Sequence, residues 1–260
     1  MDRPSVDYDR VAPGYNRRFA GGGTRGVGLA LGALADELRP QCILEVGCGT
    51  GHWLAGLAAA GRRLYGLDLS AGMLGQAVGR QAGLRLVRGR AGRLPFPAAG
   101  LDLIYCVNAI HHFQDPRGFV HEAGRLLRPG GRLAVIGSDP RAVEDGWYVY
   151  DYFPGTYETD LARFPPWDRV RGWLAEAGFD KITSQTVEEI HDPKVGRVVL
   201  GDPFLAKEAT SQLTLLSDDA YARGLARIRQ ALDAAEAVGE TLTFEADLTM
   251  TMVSGVRGGR

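Results

Sequence analysis

Two adjacent histidines and an aspartate stand out because each follows an apolar run that is typical of a buried strand. His111 and His112 come shortly after residues 101–107, and Asp139 comes just after residues 132–137. In an open parallel sheet the ligand binds outside the carboxyl ends of the strands, so these side chains are predicted to lie near it. Each can remove a proton from a reacting group, and we predict them as catalytic residues. The alternatives are structural, with a histidine packed under the next helix and the aspartate in an ordinary turn.

A glycine-rich segment at residues 45–51 lies where the first apolar run turns into a helix. It has the pattern E-x-G-x-G-x-G. Glycines let the backbone approach a ligand closely, and the helix N-terminus adds N–H donors. The third glycine comes one residue earlier than in the G-x-G-x-x-G dinucleotide pattern, and His52 occupies a position that this pattern keeps small. Asp68, at the end of the second apolar run, can accept hydrogen bonds from both ribose hydroxyls. We therefore predict a nucleoside ligand other than NAD.

Five ordered motifs within residues 8–137 resemble class I S-adenosylmethionine-dependent methyltransferases, and in particular the type 11 group that includes the quinone C-methyltransferases. The motifs are LEVGCGTG, GLDLSAGML, RLPF, DLIYCVNAIHHF and EAGRLLRPGGRLAVIG. The resemblance implies S-adenosylmethionine as cofactor. It also implies a Rossmann-like α/β fold with a mostly parallel seven-stranded sheet, helices on both faces and a late antiparallel strand. The implied cofactor-binding residues are Tyr15, Arg18, Glu45, Gly47, Gly49, Asp68, Leu69, Met73, Arg90, Ala91 and Asn108.

The resemblance assigns several of these residues to parts of the cofactor. Gly47 and Gly49 would face its methionine part, and Asp68 would bind its ribose. Met73 would pack on the adenine, and Asn108 would meet the amino group from the end of the fourth strand.

One position departs from the family's pattern. Relatives usually have an aspartate in a G-D-A run, and it accepts a hydrogen bond from the adenine amine, whereas this chain has Arg90. Arginine has donors only and cannot replace that acceptor. The backbone N–H of Ala91 can still meet the adenine ring. The missing hydrogen bond is expected to cost about 1 kcal/mol of affinity, or ~3 kcal/mol if the amine is buried unpaired.

Apolar periodicity predicts the elements that position these residues. The predicted strands are 42–46, 64–68, 84–87, 101–107, 132–137, 179–190 and 241–253, and the predicted helices are 26–38, 52–60, 70–81, 116–127, 167–177 and 217–239. Strands that alternate with helices at this spacing form right-handed βαβ units and hence a parallel sheet.

We predict a single methyltransferase domain over residues 1–260. Its parts are an N-terminal cover with the first helix (1–39), a cofactor-binding core (40–137), two cap insertions (138–166 and 191–239) and a last strand (241–255). The cover is similar to that of the resembled family, so Tyr15 would close over the cofactor. Arg18 is a weaker candidate for binding the cofactor carboxylate.

The first insertion is rich in aromatic and acidic residues. Residues 147–167 contain eight aromatic side chains, and residues 139–160 contain six acidic side chains against one basic side chain, Arg141. Beside the cofactor, such a segment favours a pocket for an apolar, aromatic or cationic molecule. The alternative is that the rings form the cap's own core and the acids face water.

Composition narrows the functional classes. The chain has 30 basic and 31 acidic residues and a net charge of -1, which removes the bulk attraction on which most sequence-independent nucleic-acid binding depends. Three cysteines without metal-ligand spacing and no visible signal peptide favour a cytoplasmic protein. No apolar run approaches the ~20 residues of a membrane helix. We expect neither a metal nor a membrane partner, and the oligomeric state stays open.

The sequence thus predicts an S-adenosylmethionine-dependent methyltransferase that acts on a small organic acceptor, with the acceptor atom (O, N or C) undetermined. An aromatic molecule or an amine is the acceptor class considered first. An RNA-modifying methyltransferase is one alternative, because arginines cluster at residues 85–93. The near-neutral net charge makes a nucleic-acid substrate the less favoured one. Another is a non-catalytic protein that binds S-adenosylmethionine or S-adenosylhomocysteine, and Arg90 is the reason to consider it.

Overall fold

A computed structural model describes residues 5–19, 25–142 and 146–259. Within these residues, seven strands form one sheet in the order β3-β2-β1-β4-β5-β9-β6, and β7 and β8 form a separate pair. The strands are β1 (Cys42–Val46), β2 (Arg63–Asp68), β3 (Leu84–Arg88), β4 (Leu101–Val107), β5 (Leu127–Gly137), β6 (Phe179–His191), β7 (Lys194–Val195), β8 (Thr243–Phe244) and β9 (Asp247–Arg257). The pairs among β1 to β5 are parallel, and β9 is antiparallel to both of its neighbours. The predicted α/β class with a late antiparallel strand is confirmed.

Helices cover the sheet and build the cap. They are α1 (Tyr8–Val11), α2 (Arg25–Leu38), α3 (His52–Gly56), α4 (Ala71–Ala77), α5 (Pro116–Leu126), α6 (Tyr148–Tyr152), α7 (Thr156–Arg163), α8 (Trp167–Glu176), α9 (Ser211–Thr214) and α10 (Asp218–Ala237), with a 3₁₀ turn at Ala12–Phe19. In the part of the chain that the structure covers, no helix combines the length and the apolar character that crossing a membrane requires.

Several element boundaries differ from the sequence prediction. β5 begins at Leu127 rather than at residue 132, because Leu127 pairs with Leu101 across an irregularity in β4. α4 ends at Ala77 rather than at residue 81, since Val78 leaves the helical region with ψ 127°. The predicted strand 241–253 divides into β8, which pairs with β7, and β9, which pairs with β5 and β6. The local pattern of apolar and polar residues does not determine with which other strand a strand pairs.

The core lies on both faces of the sheet. Alternate residues of one strand point to opposite faces, so Ile43 joins a cluster with α2 and α3 whereas Leu44 joins a cluster with α5 and α8. Every residue of β1 and β4 is buried, as expected for central strands that helices cover on both sides. Their carboxyl ends therefore have a rigid base, and the loops that follow them form the candidate site.

The two insertions share a core of their own. Trp147, Tyr148 and Phe153 from the first insertion are buried against residues of the second, among them Leu213 and Ile228. Several of the aromatic residues counted in the sequence thus stabilise the cap, as in the alternative interpretation. They are not free to line a ligand pocket.

Two helical glycines are predicted to respond oppositely to alanine. A Cβ added at Gly224 in α10 would lie 2.1 Å from Cδ1 of Phe153, whereas a Cβ added at Gly172 in α8 would meet nothing within 4 Å. We expect Gly224→Ala to lower the free energy of unfolding by about 1–3 kcal/mol through overpacking. Gly172→Ala should raise it by about 0.5–1 kcal/mol, because alanine loses less backbone entropy on folding. Denaturant unfolding measures both, and an equal effect of the two changes would contradict this packing.

Candidate active site

The glycine loop that follows β1 is held in a conformation that favours glycine. Gly47 has φ +73° and Gly49 has φ +51°, both in the left-handed region. A Cβ at Gly47 would lie 2.6 Å from Cβ of Ala109, so the loop packs directly on the segment that follows β4. The backbone N–H groups of Gly47 and Cys48 both donate to the carbonyl oxygen of Leu67. The loop is therefore fixed between two strand ends.

Asp68 lies at the carboxyl end of β2 and orders the same loop. Its Oδ2 accepts a hydrogen bond from the N–H of Gly49 at 2.8 Å, and its Oδ1 accepts from the N–H of Ser70 at 2.9 Å. Burial raises the pKa of Asp68, and these two N–H donors oppose that rise. The carboxylate keeps further lone pairs on both oxygens, which suits hydroxyl donors at the edge of the sheet.

Glu45 lies under the loop rather than at the edge of the sheet. Its side chain is 1% exposed, and its Oε2 accepts a hydrogen bond from the Tyr105 hydroxyl at 3.2 Å. Burial raises the pKa of Glu45 well above its ordinary value. In this position Glu45 supports the start of the glycine loop, and direct contact with a cofactor stays a prediction.

The N-terminal segment is hydrogen-bonded to the loop. Asp9 accepts hydrogen bonds from the Ser70 hydroxyl and the Gly72 N–H, at 2.6 and 2.7 Å. Asn16 accepts from the Thr50 hydroxyl at 2.7 Å, which fastens the second half of the cover to the loop. These bonds tie the cover to the ends of β1 and β2.

Residues of the cover and of α4 enclose the loop. A Cβ at Gly49 would lie 3.9 Å from Cε1 of Tyr15, so the tyrosine ring stands over the glycine loop. Met73 is 1% exposed because it packs beneath Val11 and Ala12. The side chain of Arg18 lies outside the described residues.

The residues predicted for the adenine end lie beside Asp68. The side chain of Leu69 is 53% exposed, and its carbonyl oxygen accepts from Nε of Arg88 at 3.0 Å. Ala91 is buried, while Arg90 is exposed and donates through Nη1 to Oε1 of Gln114 at 2.6 Å. Arg90 thus has a surface partner of its own.

Asn108 follows β4 in a left-handed backbone conformation. Its φ is +48°, and its N–H donates to the carbonyl oxygen of Ile136 at 2.8 Å. A Cβ at Gly137 would lie 3.3 Å from Oδ1 of Asn108. The ends of β4 and β5 therefore meet at this residue.

The two histidines occupy different environments. His111 is buried and stacks on Phe164, with ring centroids 3.8 Å apart and planes within 12°. His112 is half-buried, and its Nε2 lies 2.6 Å from the hydroxyl oxygen of Tyr8 in the cover. The ring of Tyr8 is itself in edge contact with Tyr15, 6.2 Å away. His112 therefore connects the end of β4 to the cover.

A buried ion pair of the cap, Asp160 with Arg163, contacts His112 through the arginine. Nη2 of Arg163 lies 3.4 Å from Nδ1 of His112, and Nη1 lies 3.3 Å from Oδ1 of Asp160. The Arg163 and Asp160 side chains are 1% and 0% exposed. Burial raises the pKa of Asp160 and lowers that of Arg163, and the charge of each opposes the shift of the other. Sequence reasoning missed this pair and Tyr8, because nothing in their spacing links them to His112.

Asp139 sits in a turn after β5. Its Oδ1 accepts from the N–H and from Nη1 of Arg141, at 3.0 and 3.1 Å, and its side chain is buried. Arg141 also donates to the carbonyl oxygen of Phe164, whose ring stacks on His111. This arrangement resembles the alternative interpretation as a turn residue. A direct catalytic role for Asp139 stays a prediction.

A separate group of possible metal ligands lies at the edge of the sheet between β6 and β9. Donor atoms of His191, Glu245 and Asp247 come within 4.8 Å of one another. Sequence spacing did not indicate this group, because pairing of the two strands brings it together. Asp247 accepts a hydrogen bond from Nδ1 of His191 and raises the pKa of that imidazole, so a proton competes there with any metal ion.

Comparisons with known proteins find methyltransferases. Residues 44–135 match the family model described as a methyltransferase domain. Over 164 residues the chain is 36% identical to malonyl-[acyl-carrier protein] O-methyltransferase from Hahella chejuensis, covering 58% of each sequence. Over 142 residues it is 37% identical to demethylmenaquinone methyltransferase from Tropheryma whipplei, covering 49% of this chain and 56% of that sequence. The alignments thus span little more than half the length of these relatives.

The fold is also found among solved structures. A protein of an antibiotic biosynthesis pathway from Anabaena variabilis superposes with a TM-score of 0.65 at 23% identity. The match covers 87% of this chain and 96% of that one, so it includes at least part of the cap as well as the sheet.

Proposed function

Because residues 44–135 belong to the methyltransferase domain family and the chain has the class I methyltransferase fold, we propose that this protein transfers a methyl group from S-adenosylmethionine to a small organic molecule. One observation carries the proposal. The Asp68 carboxylate at the end of β2 is joined to the glycine loop after β1 by the Gly49 N–H at 2.8 Å. A carboxylate that can accept from ribose hydroxyls and a backbone that a ligand can approach closely therefore lie at the same edge of the sheet.

The residues at this edge fit the cofactor. The left-handed Gly47 and Gly49 leave no side chain between the loop and a ligand, and Asp68 offers oxygens to ribose hydroxyls. Asn108 offers an amide to the cofactor's amino group, and the exposed Leu69 offers an apolar surface to adenine. When bound, S-adenosylmethionine would supply an electrophilic methyl group on a sulfonium, with S-adenosylhomocysteine as the leaving group.

We place the acceptor near Tyr8 and His112. These two groups are the polar side chains that the cover and the end of β4 bring together, with 2.6 Å between Oη and Nε2. A pair of this kind can orient an acceptor atom and take up its proton. Alignment of acceptor and methyl group supplies the larger part of the rate, up to ~7–11 kcal/mol.

An aromatic acceptor, neutral or phenolic, is the class that we favour over an amine. Two acids of the first insertion are neutralised by neighbouring arginines, as Asp139 pairs with Arg141 and Asp160 with Arg163. The cap therefore offers little unpaired negative charge to a cation at these positions. The stacked rings of His111 and Phe164 give the proposed acceptor position an aromatic surrounding, which suits a ring more than an aliphatic amine. The name of the demethylmenaquinone relative is consistent with this class.

Calorimetric titration with S-adenosylmethionine, S-adenosylhomocysteine and NAD tests the proposal. We expect binding of the first two and none of NAD. A screen of phenols, then amines, with methyl-labelled cofactor should next yield a labelled product. Binding of S-adenosylhomocysteine without any labelled product across the screen would favour the non-catalytic alternative. Label in RNA, and in no small molecule, would favour the RNA-modifying alternative.

Arg90→Asp is predicted to tighten cofactor binding. The change restores an acceptor where relatives of this family have one, and it removes only a surface contact with Gln114. We expect S-adenosylhomocysteine affinity to rise about tenfold, which corresponds to one hydrogen bond of ~1 kcal/mol or slightly more. Arg93→Asp, an equal charge change at the neighbouring exposed arginine, should leave affinity unchanged. A loss of affinity in Arg90→Asp would mean that Arg90 contacts the cofactor itself.

A further inference from the structure

Arg163 is a buried cation whose hydrogen bonds within the protein are incomplete. Its Nε is buried and has no hydrogen-bond partner among the described residues. The contacts of its other two nitrogens are long, at 3.3 Å to Oδ1 of Asp160 and 3.4 Å to Nδ1 of His112. Hydrogen bonds from an N–H donor are ordinarily about 2.7–3.2 Å long. Because a guanidinium has five N–H donors, this one keeps donors for a further group.

Asp160 compensates the charge of Arg163 only in part, because its carboxylate is shared among several donors. Oδ2 of Asp160 accepts from the Tyr150 hydroxyl at 2.8 Å and from Nε2 of Gln212 at 2.5 Å. Both bonds are shorter than the 3.3 Å contact between Oδ1 and Arg163. The carboxylate is therefore bound most closely by two neutral donors. It holds the guanidinium in place without satisfying its remaining N–H groups.

Two other arginines, Arg80 and Arg132, also have a buried Nε without a described partner. Both make closer hydrogen bonds through their Nη groups. Arg132 donates twice to the Glu37 carboxylate at 3.0 Å, and Arg80 donates to Oδ1 of Asn16 at 2.7 Å. The Arg163 side chain is also more deeply buried than that of Arg132, at 1% against 20% exposure. Buried donors in folded proteins nearly always have a partner, so the unpaired Nε–H of Arg163 indicates a ligand.

This cation lies in the region where we place the methyl acceptor. Nη2 of Arg163 faces His112, whose ring in turn contacts the Tyr8 hydroxyl of the cover. The guanidinium carbon lies 5.7 Å from the centre of the Phe164 ring. An acceptor held between cover, strand end and cap would therefore meet a positive charge beside an aromatic ring. The sulfonium of a bound cofactor would add a second positive charge, and attraction to an anion is strong where water is excluded.

We propose that Arg163 binds an ionised oxygen of the methyl acceptor, a phenolate or a carboxylate on an aromatic ring, through N–H groups that include Nε–H. This inference rests on the proposed function and names the chemical class of its acceptor. Hydrogen bonds between a guanidinium and an oxyanion are charge-assisted and therefore stronger than neutral ones. An ammonium group at the same place would be repelled by Arg163.

Methyl transfer to an ionised oxygen is balanced in charge. The methyl group passes from sulfur to oxygen, and the electron pair of the S–C bond stays on sulfur. The positive and negative charges cancel, so the products are S-adenosylhomocysteine and a neutral ether or ester. A carboxylate is already ionised at neutral pH. A phenol first loses its proton, which the Tyr8–His112 pair can pass to solvent, and the neighbouring Arg163 favours the ionised form.

Benzoate and benzylamine, two probes of similar size and opposite charge, test the proposal on the wild-type protein. Each is titrated into the complex with S-adenosylhomocysteine, and ligand-observed NMR gives the dissociation constants. We expect benzoate to bind at least about tenfold more tightly than benzylamine, the ratio expected of one charge-assisted hydrogen bond. A titration with 4-nitrophenolate then distinguishes a phenolate site from a carboxylate site. If neither anion were preferred over benzylamine, the proposal would be overturned.

A double variant assigns the preference for anions to Arg163. Asp160→Asn with Arg163→Met removes both buried charges together, which avoids leaving one of them unpaired. The preference should fall to near parity, while the affinity for S-adenosylhomocysteine stays that of the wild type. Asp168→Asn with Arg171→Met is the matched control, because it removes an exposed ion pair of the same sequence spacing. The control should keep the preference, and equal preferences in the two double variants would contradict the proposal.

The Nε–H resonance of Arg163 provides a readout that does not depend on the double variant. Arg163→Lys identifies this resonance in proton–nitrogen spectra as the one that it lacks. Benzoate or 4-nitrophenolate should shift the wild-type signal downfield, because the N–H gains an acceptor, whereas benzylamine should leave it in place. A signal that neither anion moves would contradict the proposal. Failure of the proposed function is a separate outcome, since a protein that binds no S-adenosylhomocysteine would disprove the function and leave the preference for anions measurable without cofactor.

Discussion

Asp68→Ala is expected to weaken S-adenosylhomocysteine binding roughly 5- to 150-fold, which corresponds to about 1–3 kcal/mol. The substitution removes the charged acceptor proposed for the ribose hydroxyls, and bonds to ionised groups are stronger than neutral ones. It also removes the acceptor for the Gly49 N–H, so the glycine loop loses one of its fixed contacts. Calorimetry gives the affinity directly.

The pH dependence of binding provides a second readout for Asp68. Burial raises the pKa of this carboxyl, and the ionised form is the one that accepts from ribose. Wild-type affinity should therefore begin to fall, on acidification, at a higher pH than protonation of an exposed aspartate would produce. The Asp68→Ala protein should lack this fall.

Glu240→Ala is a suitable control because it removes one exposed carboxylate in the loop after α10. Its affinity should equal that of the wild type. If Asp68→Ala bound the cofactor as tightly as this control, the cofactor site would lie elsewhere on the chain.

Tyr8→Phe is expected to lower kcat by about 10²-fold, with cofactor affinity unchanged. The change removes only the hydroxyl that lies 2.6 Å from Nε2 of His112, and a positioned proton donor or acceptor typically contributes 10²–10⁴-fold. His112→Gln should have a comparable effect on turnover, because it removes the group that orients Tyr8. His111→Gln should have a smaller effect, since the His111 ring mainly packs on Phe164.

Steady-state kinetics with the acceptor found in the screen, alongside calorimetry with S-adenosylhomocysteine, separates the effects on turnover and on binding. Tyr65→Phe is the matched control, because its hydroxyl accepts from Nη1 of Arg85 in an exposed hydrogen bond. A Tyr8→Phe protein with the turnover of Tyr65→Phe would remove Tyr8 from the reaction. Parallel losses of turnover and cofactor affinity would instead assign Tyr8 to the cover alone.

The sequence by itself determined the central sheet and the cofactor edge. β1 and β4 are buried on both faces, and such strands appear in a sequence as unbroken apolar runs. Left-handed backbone at Gly47 and Gly49 favours glycine, so these positions are also visible in the sequence. Asp68 was predictable because a strand end is a local feature, and its partner Gly49 belongs to the preceding strand–helix turn.

Only the tertiary structure decided what surrounds His112. Tyr8 is 104 residues away from it along the chain and Arg163 is 51, and no periodicity relates such positions. The sequence could not distinguish the aromatic residues that form the core of the cap from those near the site. Their burial against the second insertion depends on how two distant segments pack. Local patterns fix local backbone geometry. The protonation of a side chain depends on charges that only the folded chain brings within a few ångströms.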